Sequence, residues 1–258
     1  MYIMEMDGAC GDGGGRVPVA IVTGSSQRLG ACTVKHLHQA GYSVIIHYRK
    51  SQAQAEELAQ SLNSVRPDSA ATLQADLTKV DTEKMAKELI DAAAQKWGRL
   101  DVLVNNASDF FPTPLGTVDG DQWKTVMSSN LKAPFFLSQA AIPHLKATKG
   151  CIVNMADIHG QRPLSGYSVY CIAKAGLIMS TMALAKDLAP DIRVNAVAPG
   201  AILWPDHEYD VNDSLSRIPM GRQGSPEDIG KAIIFLVKDA PYVTGQVLPV
   251  DGGRSLSQ

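Results

Sequence analysis

From residue 17 onward, short runs of β-branched and apolar residues alternate with longer segments whose apolar positions recur at helical intervals. That alternation leaves few folds open. The runs 17–23, 43–48, 70–74, 100–105, 151–155, 193–198 and 246–250 read as strands. Most are apolar on both faces, as strands covered by helices on each side must be. Between them, 28–39, 53–63, 82–96, 122–145, 169–188 and 226–237 read as helices. A break is expected near Pro134 in the long segment 122–145, because an interior proline lacks the N–H and crowds the preceding turn. Alternation without an internal linker predicts a single-domain α/β fold, a Rossmann-like doubly wound parallel sheet flanked by helices. A length of 258 residues suits one such unit, and a hydrophobic fraction of 45% can fill its core.

Several function classes are disfavoured by composition. With 24 basic against 26 acidic residues, the chain lacks the positive charge that draws proteins to nucleic acid. No stretch is read as a membrane span of ~20 apolar residues, so no membrane partner and a cytoplasmic location are expected. Cys10, Cys32, Cys151 and Cys171 are too scattered for a zinc site or a disulfide scaffold. Residues 1–16, with the run Gly11-Asp12-Gly13-Gly14-Gly15, are expected to form a flexible tail, and 17–258 the folded domain.

Chemistry concentrates where the predicted strands end. Thr23-Gly24-Ser25-Ser26-Gln27-Arg28-Leu29-Gly30 joins the first strand to the first helix, and its small residues let backbone N–H groups and the helix N-terminus approach a pyrophosphate. Arg28 stands where a glycine is usual, and its side chain can donate to phosphate or to a substrate carbonyl. The second strand runs into His47-Tyr48-Arg49-Lys50-Ser51. Cations and hydroxyls there suit a 2′-phosphate, whereas an acidic residue would suit a free ribose hydroxyl, so NADP is favoured over NAD. The plainer alternatives are a His47 packed on the sheet and a Lys50 that is ordinary surface charge. Asp76-Leu77 follows the third strand, where the carboxylate can accept from an adenine amino group or serve as a turn residue.

Tyr170 and Lys174 lie one helical turn apart on one face, and a nearby ammonium can lower a tyrosine pKa. Asn105-Asn106-Ala107-Ser108, Asn130 and Pro199-Gly200 are expected at the same carboxyl edge of the sheet. Asp206, His207 and Glu208 are adjacent, a spacing that seldom converges on a metal, and no metal site is expected.

In combination, Thr23-Gly24, Asn105-Asn106-Ala107, Asn130, Tyr170 with Lys174, and Pro199-Gly200 resemble the short-chain dehydrogenase/reductase family across residues 17–256. The resemblance implies a nicotinamide-dependent reductase. The cofactor NADPH/NADP would lie on Gly24, Arg28, Leu29, Gly30, His47, Tyr48, Arg49, Lys50, Ser51, Asp76, Leu77, Asn106, Ala107, Ser108, Tyr170, Lys174, Pro199 and Gly200. Lys174 would hold the nicotinamide ribose and tune Tyr170, and Asn130 would support a proton-relay water.

One departure narrows the reading. Asp157 stands where the family's usual catalytic serine would be, which disfavours ordinary ketone reduction. With Arg28, the 47–51 stretch and the segment 105–115, it resembles the pteridine reductases within that family. This implies reduction of dihydropterin, and also of oxidised pterin, dihydrofolate or folate, to tetrahydropterin. Phe110 would stack on the flat ring, Ser108 and Arg28 would bind its polar edges, and Asp157 and Tyr170 would bring the proton. Trp204, in the variable segment 201–217, would either wall the pocket or make a capping contact against the sheet. The resemblance further implies a homotetramer, with Arg254 approaching a neighbouring active site. The competing functions are an NADPH-dependent carbonyl reductase, from which Asp157 detracts, and a non-catalytic NADP-sensing protein, against which the intact Tyr170 and Lys174 argue.

Overall fold

The computed structural model describes residues 16–79, 81–202 and 215–256. The glycine-rich leader, but for Arg16, and Trp204 with Asp206, His207 and Glu208 therefore lie outside the described residues.

The strands are β1 (Val19–Val22), β2 (Ser43–Tyr48), β3 (Ala70–Gln74), β4 (Val102–Asn105), β5 (Cys151–Met155), β6 (Arg193–Pro199) and β7 (Val247–Val250). They form one parallel sheet in the order β3-β2-β1-β4-β5-β6-β7. The chain is thus a single-domain Rossmann-like α/β protein, with its order reversing between β1 and β4. Strand alternation builds a core on each face. Ala20 and Val22 face a layer shared with Val34, Leu37, Leu58 and Ile233, whereas Val19 and Ile21 face Leu89, Ile90, Leu137 and Leu145. Both faces being covered, β1 and β2 are buried at every position.

The helices are α1 (Arg28–Gln39), α2 (Gln52–Val65), α3 (Thr82–Trp97), α4 (Gly120–Met127), α5 (Ala133–Thr148), α6 (Ser168–Leu188) and α7 (Pro226–Ile234). Local chemistry sets several ends. Asp81 accepts from the Lys84 amide to start α3, and Gly98 ends it in a left-handed conformation. Ser225 and Asp228 form a capping box at α7, with Pro226 in its first turn.

The break expected near Pro134 is present within 122–145. A π turn, Ser128–Lys132, separates α4 from α5 and carries Asn130, whereas Pro134 sits in the first turn of α5. Helical backbone is continuous across this junction, the Ala133 amide bonding back to the Ser128 carbonyl, and Pro134, which has no N–H to offer the preceding turn, follows directly on the wider π turn. Pro143 lies inside α5.

Candidate active site

The carboxyl ends of β1, β4, β5 and β6 open into a cavity of about 790 Å³ at the point where the strand order reverses. At one end, Tyr170 and Lys174 project from successive turns of α6 towards the end of β5. The Tyr170 hydroxyl donates to Asp157 Oδ2 at 2.8 Å, and the Lys174 ammonium donates to the Met155 carbonyl at 2.7 Å. Asp157 is fixed in turn because its Oδ1 accepts from the His159 amide at 2.8 Å, capping a short 3₁₀ turn, Ile158–Gly160. Lys174 Nζ lies 5.5 Å from the centroid of the Tyr170 ring, against its face rather than on its oxygen.

These environments correct the expected direction of the tyrosine shift. Burial, followed by the negative charge of Asp157, raises the Tyr170 pKa well above 10 despite the neighbouring cation. Burial lowers Lys174 to about 8, with Asp157 acting in the opposite sense. At neutral pH the pair is a phenol beside an ammonium, an arrangement that can give a proton rather than take one. Asn130 is fully buried and its side chain is occupied: Nδ2 donates to the Asp109 and Val126 carbonyls at 2.9 and 3.0 Å, and Oδ1 accepts from Ser108 Oγ at 2.7 Å. With these bonds its side chain props the 108–109 loop.

The other end of the cavity is the strand-to-helix turn. Gly24 has φ +59°, and a Cβ there would come within 2.9 Å of Ala107 Cα; at Gly30 a Cβ would come within 2.5 Å of the Gly24 carbonyl. The turn can therefore press against β4, where Asn106 Nδ2 donates to the Thr23 and Gly24 carbonyls. Arg28 has φ +53°, a strained value for a side chain, and extends along the cavity wall. Leu29, Arg49, Leu77, Ala107, Ser108, Pro199 and Gly200 also line the cavity as expected.

Four of the expected cofactor contacts fall elsewhere. His47 touches the cavity, but it is buried and both ring nitrogens are used: Nδ1 accepts from the Gly24 amide at 2.9 Å and Nε2 donates to the Ala75 carbonyl at 3.1 Å. Burial lowers its pKa to about 4, so it is a neutral strut rather than a cation for phosphate. Tyr48 packs into the core beside Leu58 and Leu62, because β2 is covered on both faces. Asp76 Oδ1 accepts from Thr78 N and Oγ1 at 3.0 and 2.7 Å, so that Leu77 and Thr78 face the cavity in its stead. Lys50 is exposed and Ser51 starts α2, and neither lines the cavity.

Phe110 is 48% exposed and belongs to the cavity wall rather than to the core. Its ring stacks on Tyr167 at 4.5 Å between centroids and meets Tyr170 edge-on at 4.8 Å. Tyr167, His159, Leu164 and Asp109 are wall residues that the sequence reading missed. Tyr167 sits one turn before Tyr170, a spacing that could have revealed it; the others had no local signal. Arg254 lines this chain's own cavity, and its Nη1 is buried without a hydrogen-bond partner.

A buried acid and cation with a half-buried carboxylate beside a nucleotide-sized cleft, at the switch point of a doubly wound sheet, define a nucleotide-dependent oxidoreductase. Comparison with known proteins gives the family. A family model described as enoyl-(acyl carrier protein) reductase matches residues 24–255. The chain is 39% identical to pteridine reductase 1 of Leishmania tarentolae, over 93% of this chain and 97% of that protein. It is 36% identical to the granaticin polyketide synthase putative ketoacyl reductase 2 of Streptomyces violaceoruber, over 93% and 96%. It is also 36% identical to 3beta-hydroxysteroid dehydrogenase 1 of Eggerthella lenta, over 92% and 93%. The chain belongs to the short-chain dehydrogenase/reductase family, whose members are nicotinamide-dependent oxidoreductases of small molecules.

Proposed function

We propose that the protein uses NADPH to reduce a dihydropterin, and also oxidised pterin or folates, to the tetrahydropterin. The observation that carries this reading is the 2.8 Å hydrogen bond from Tyr170 to Asp157. A carboxylate at this place holds the phenol proton ready for a basic ring nitrogen, a task different from supporting the oxygen of a ketone. The half-exposed ring of Phe110 supports a flat substrate, and the relative named pteridine reductase 1 supports the class.

The residues present fit a dinucleotide. Gly24 and Gly30 leave no room for side chains between the turn and β4, and Arg28 and Arg49 bring positive charge to the same cavity. Arg49 would take the 2′-phosphate, Arg28 the pyrophosphate or the substrate's carbonyl edge, and Lys174 the nicotinamide ribose. When bound, the reduced dinucleotide supplies a hydride. Tyr170 Oη gives a proton to the substrate, directly or through water. Asp157 orients that hydroxyl, and Lys174 sustains positive charge beneath the ring as the oxygen becomes anionic. The whole enzyme is proposed to be a homotetramer.

The test is loss of NADPH absorbance with dihydrobiopterin, with folate and with a simple ketone in separate assays. Turnover of pterins is expected. Turnover of ketones alone would assign the protein to the carbonyl reductases, and cofactor binding without any turnover would leave a sensor.

A further inference from the structure

Arg49, just beyond β2, and Asp109, in the loop after β4, are 60 residues apart in sequence and meet at the cavity wall. Arg49 Nη1 donates to Asp109 Oδ2 at 3.3 Å and Nη2 to Oδ1 at 3.4 Å, a fork-to-fork pair. The side chains are 41% and 22% exposed, so water and ions reach the pair and its strength is modest. Asp76 is the other carboxylate whose charge interacts with Arg49. The main chain of Asp109 is independently anchored, its amide donating to Ser129 Oγ at 3.2 Å and its carbonyl accepting from Asn130 Nδ2 at 2.9 Å. The carboxylate can therefore leave Arg49 by side-chain rotation while the backbone leading to Phe110 stays in place.

This pairing has a consequence for cofactor choice, and it rests on the reading that Arg49 receives the 2′-phosphate. A phosphate dianion needs the same fork of donors that Asp109 now holds. It must displace the carboxylate or share the guanidinium with it, at close range between like charges. A dinucleotide with a free 2′-hydroxyl brings no such competitor and leaves the ion pair intact. We propose that Asp109 is a positioning residue that sets cofactor discrimination, holding Arg49 aligned and competing with the 2′-phosphate for it, so that NADPH binds less tightly than Arg49 alone would allow while NADH is unaffected.

Equilibrium titration of NADPH and NADH into the wild-type protein and into Asp109→Asn, Asp109→Glu, Arg49→Gln and the double variant Asp109→Asn/Arg49→Gln tests this. Removing the carboxylate charge in Asp109→Asn should tighten NADPH by about 3- to 10-fold, the Coulombic scale for charges a few ångströms apart near water, with NADH changed by less than about 2-fold. Asp109→Glu should restore the wild-type ratio. In the Arg49→Gln background the Asp109 substitution should lose most of its effect, because the two act through one contact. An Asp109→Asn protein with an unchanged NADPH-to-NADH ratio overturns the inference, whether both affinities move together or neither moves. Arg49→Gln on its own separates the two claims. If it leaves NADPH affinity unchanged, both the 2′-phosphate reading and the inference fall; if it weakens NADPH while Asp109→Asn leaves the ratio unaltered, only the role of Asp109 falls.

Discussion

Tyr170 keeps its proton because its surroundings penalise the anion twice, through burial and through the Asp157 carboxylate, while the Lys174 ammonium donates to the Met155 carbonyl rather than to the phenol oxygen. Tyr170→Phe should therefore lower kcat by about 10²–10⁴-fold, the usual worth of a placed general acid, with NADPH affinity changed only a few-fold. Steady-state turnover together with a cofactor titration reads both; retained turnover would remove the phenol from the chemistry. Burial lowers Lys174 to about 8, which brings its titration close to neutrality. As pH rises through that value the ammonium is lost, so kcat/KM for NADPH, which reports the free enzyme, should fall above about pH 8. Lys174→Arg should remove that descending limb, since a guanidinium keeps its charge. Of the proposed catalytic trio, Tyr170 and Lys174 were legible as a pair one turn apart on one helix, whereas Asp157 was legible only through the resemblance to the family whose usual serine it replaces. Asp109 was not, since its partner Arg49 is distant in sequence and only the fold brings them together.

At the level of elements, what misled was a strand end that looked functional throughout. In 47–51 it is Arg49 that brings its charge to the cavity, paired there with Asp109; His47 and Tyr48 are drawn inward because β2 is covered on both faces. Sequence alternation gives strand and face but does not distinguish a nitrogen facing solvent from one holding two elements together. His47 does the latter, joining the turn after β1 to the segment after β3. Its folded-state pKa of about 4 lies below the unfolded value of 6.5, so between these values the unfolded chain binds the extra proton. Stability should therefore decline as pH falls through 6.5 towards 4, by on the order of 3 kcal/mol at full titration. Urea midpoints at pH 7 and pH 4.5 measure this. His47→Asn should start less stable at pH 7 and lose less on acidification. An equal acid loss in both proteins would assign the sensitivity to other groups. The break beside Pro134 was legible from the proline, but its form, a π turn at Ser128–Lys132, was not.

On the scale of the whole molecule, apolar surface left uncovered after the core is complete bears on assembly. Helix α6 is apolar on nearly every side; Ile172, Met179 and Met182 remain 50%, 62% and 40% exposed, and Phe135 on α5 is 41% exposed. A second apolar region includes Met220 and Leu256, at 66% and 81%, near the end of the sheet closed by β7. One self-complementary face pairs two copies and then stops, whereas two separate faces with different two-fold axes close on four. Sedimentation of the wild-type protein should accordingly give four chains. Ile172→Glu with Met179→Glu places charges on the α6 face, where desolvating them would oppose association, so this variant should sediment as a dimer held by the other face. A wild-type monomer at micromolar concentration would refute the tetramer. A double variant that remains four chains would mean that α6 is not one of its contacts, and the exposed side chains there would need another occupant.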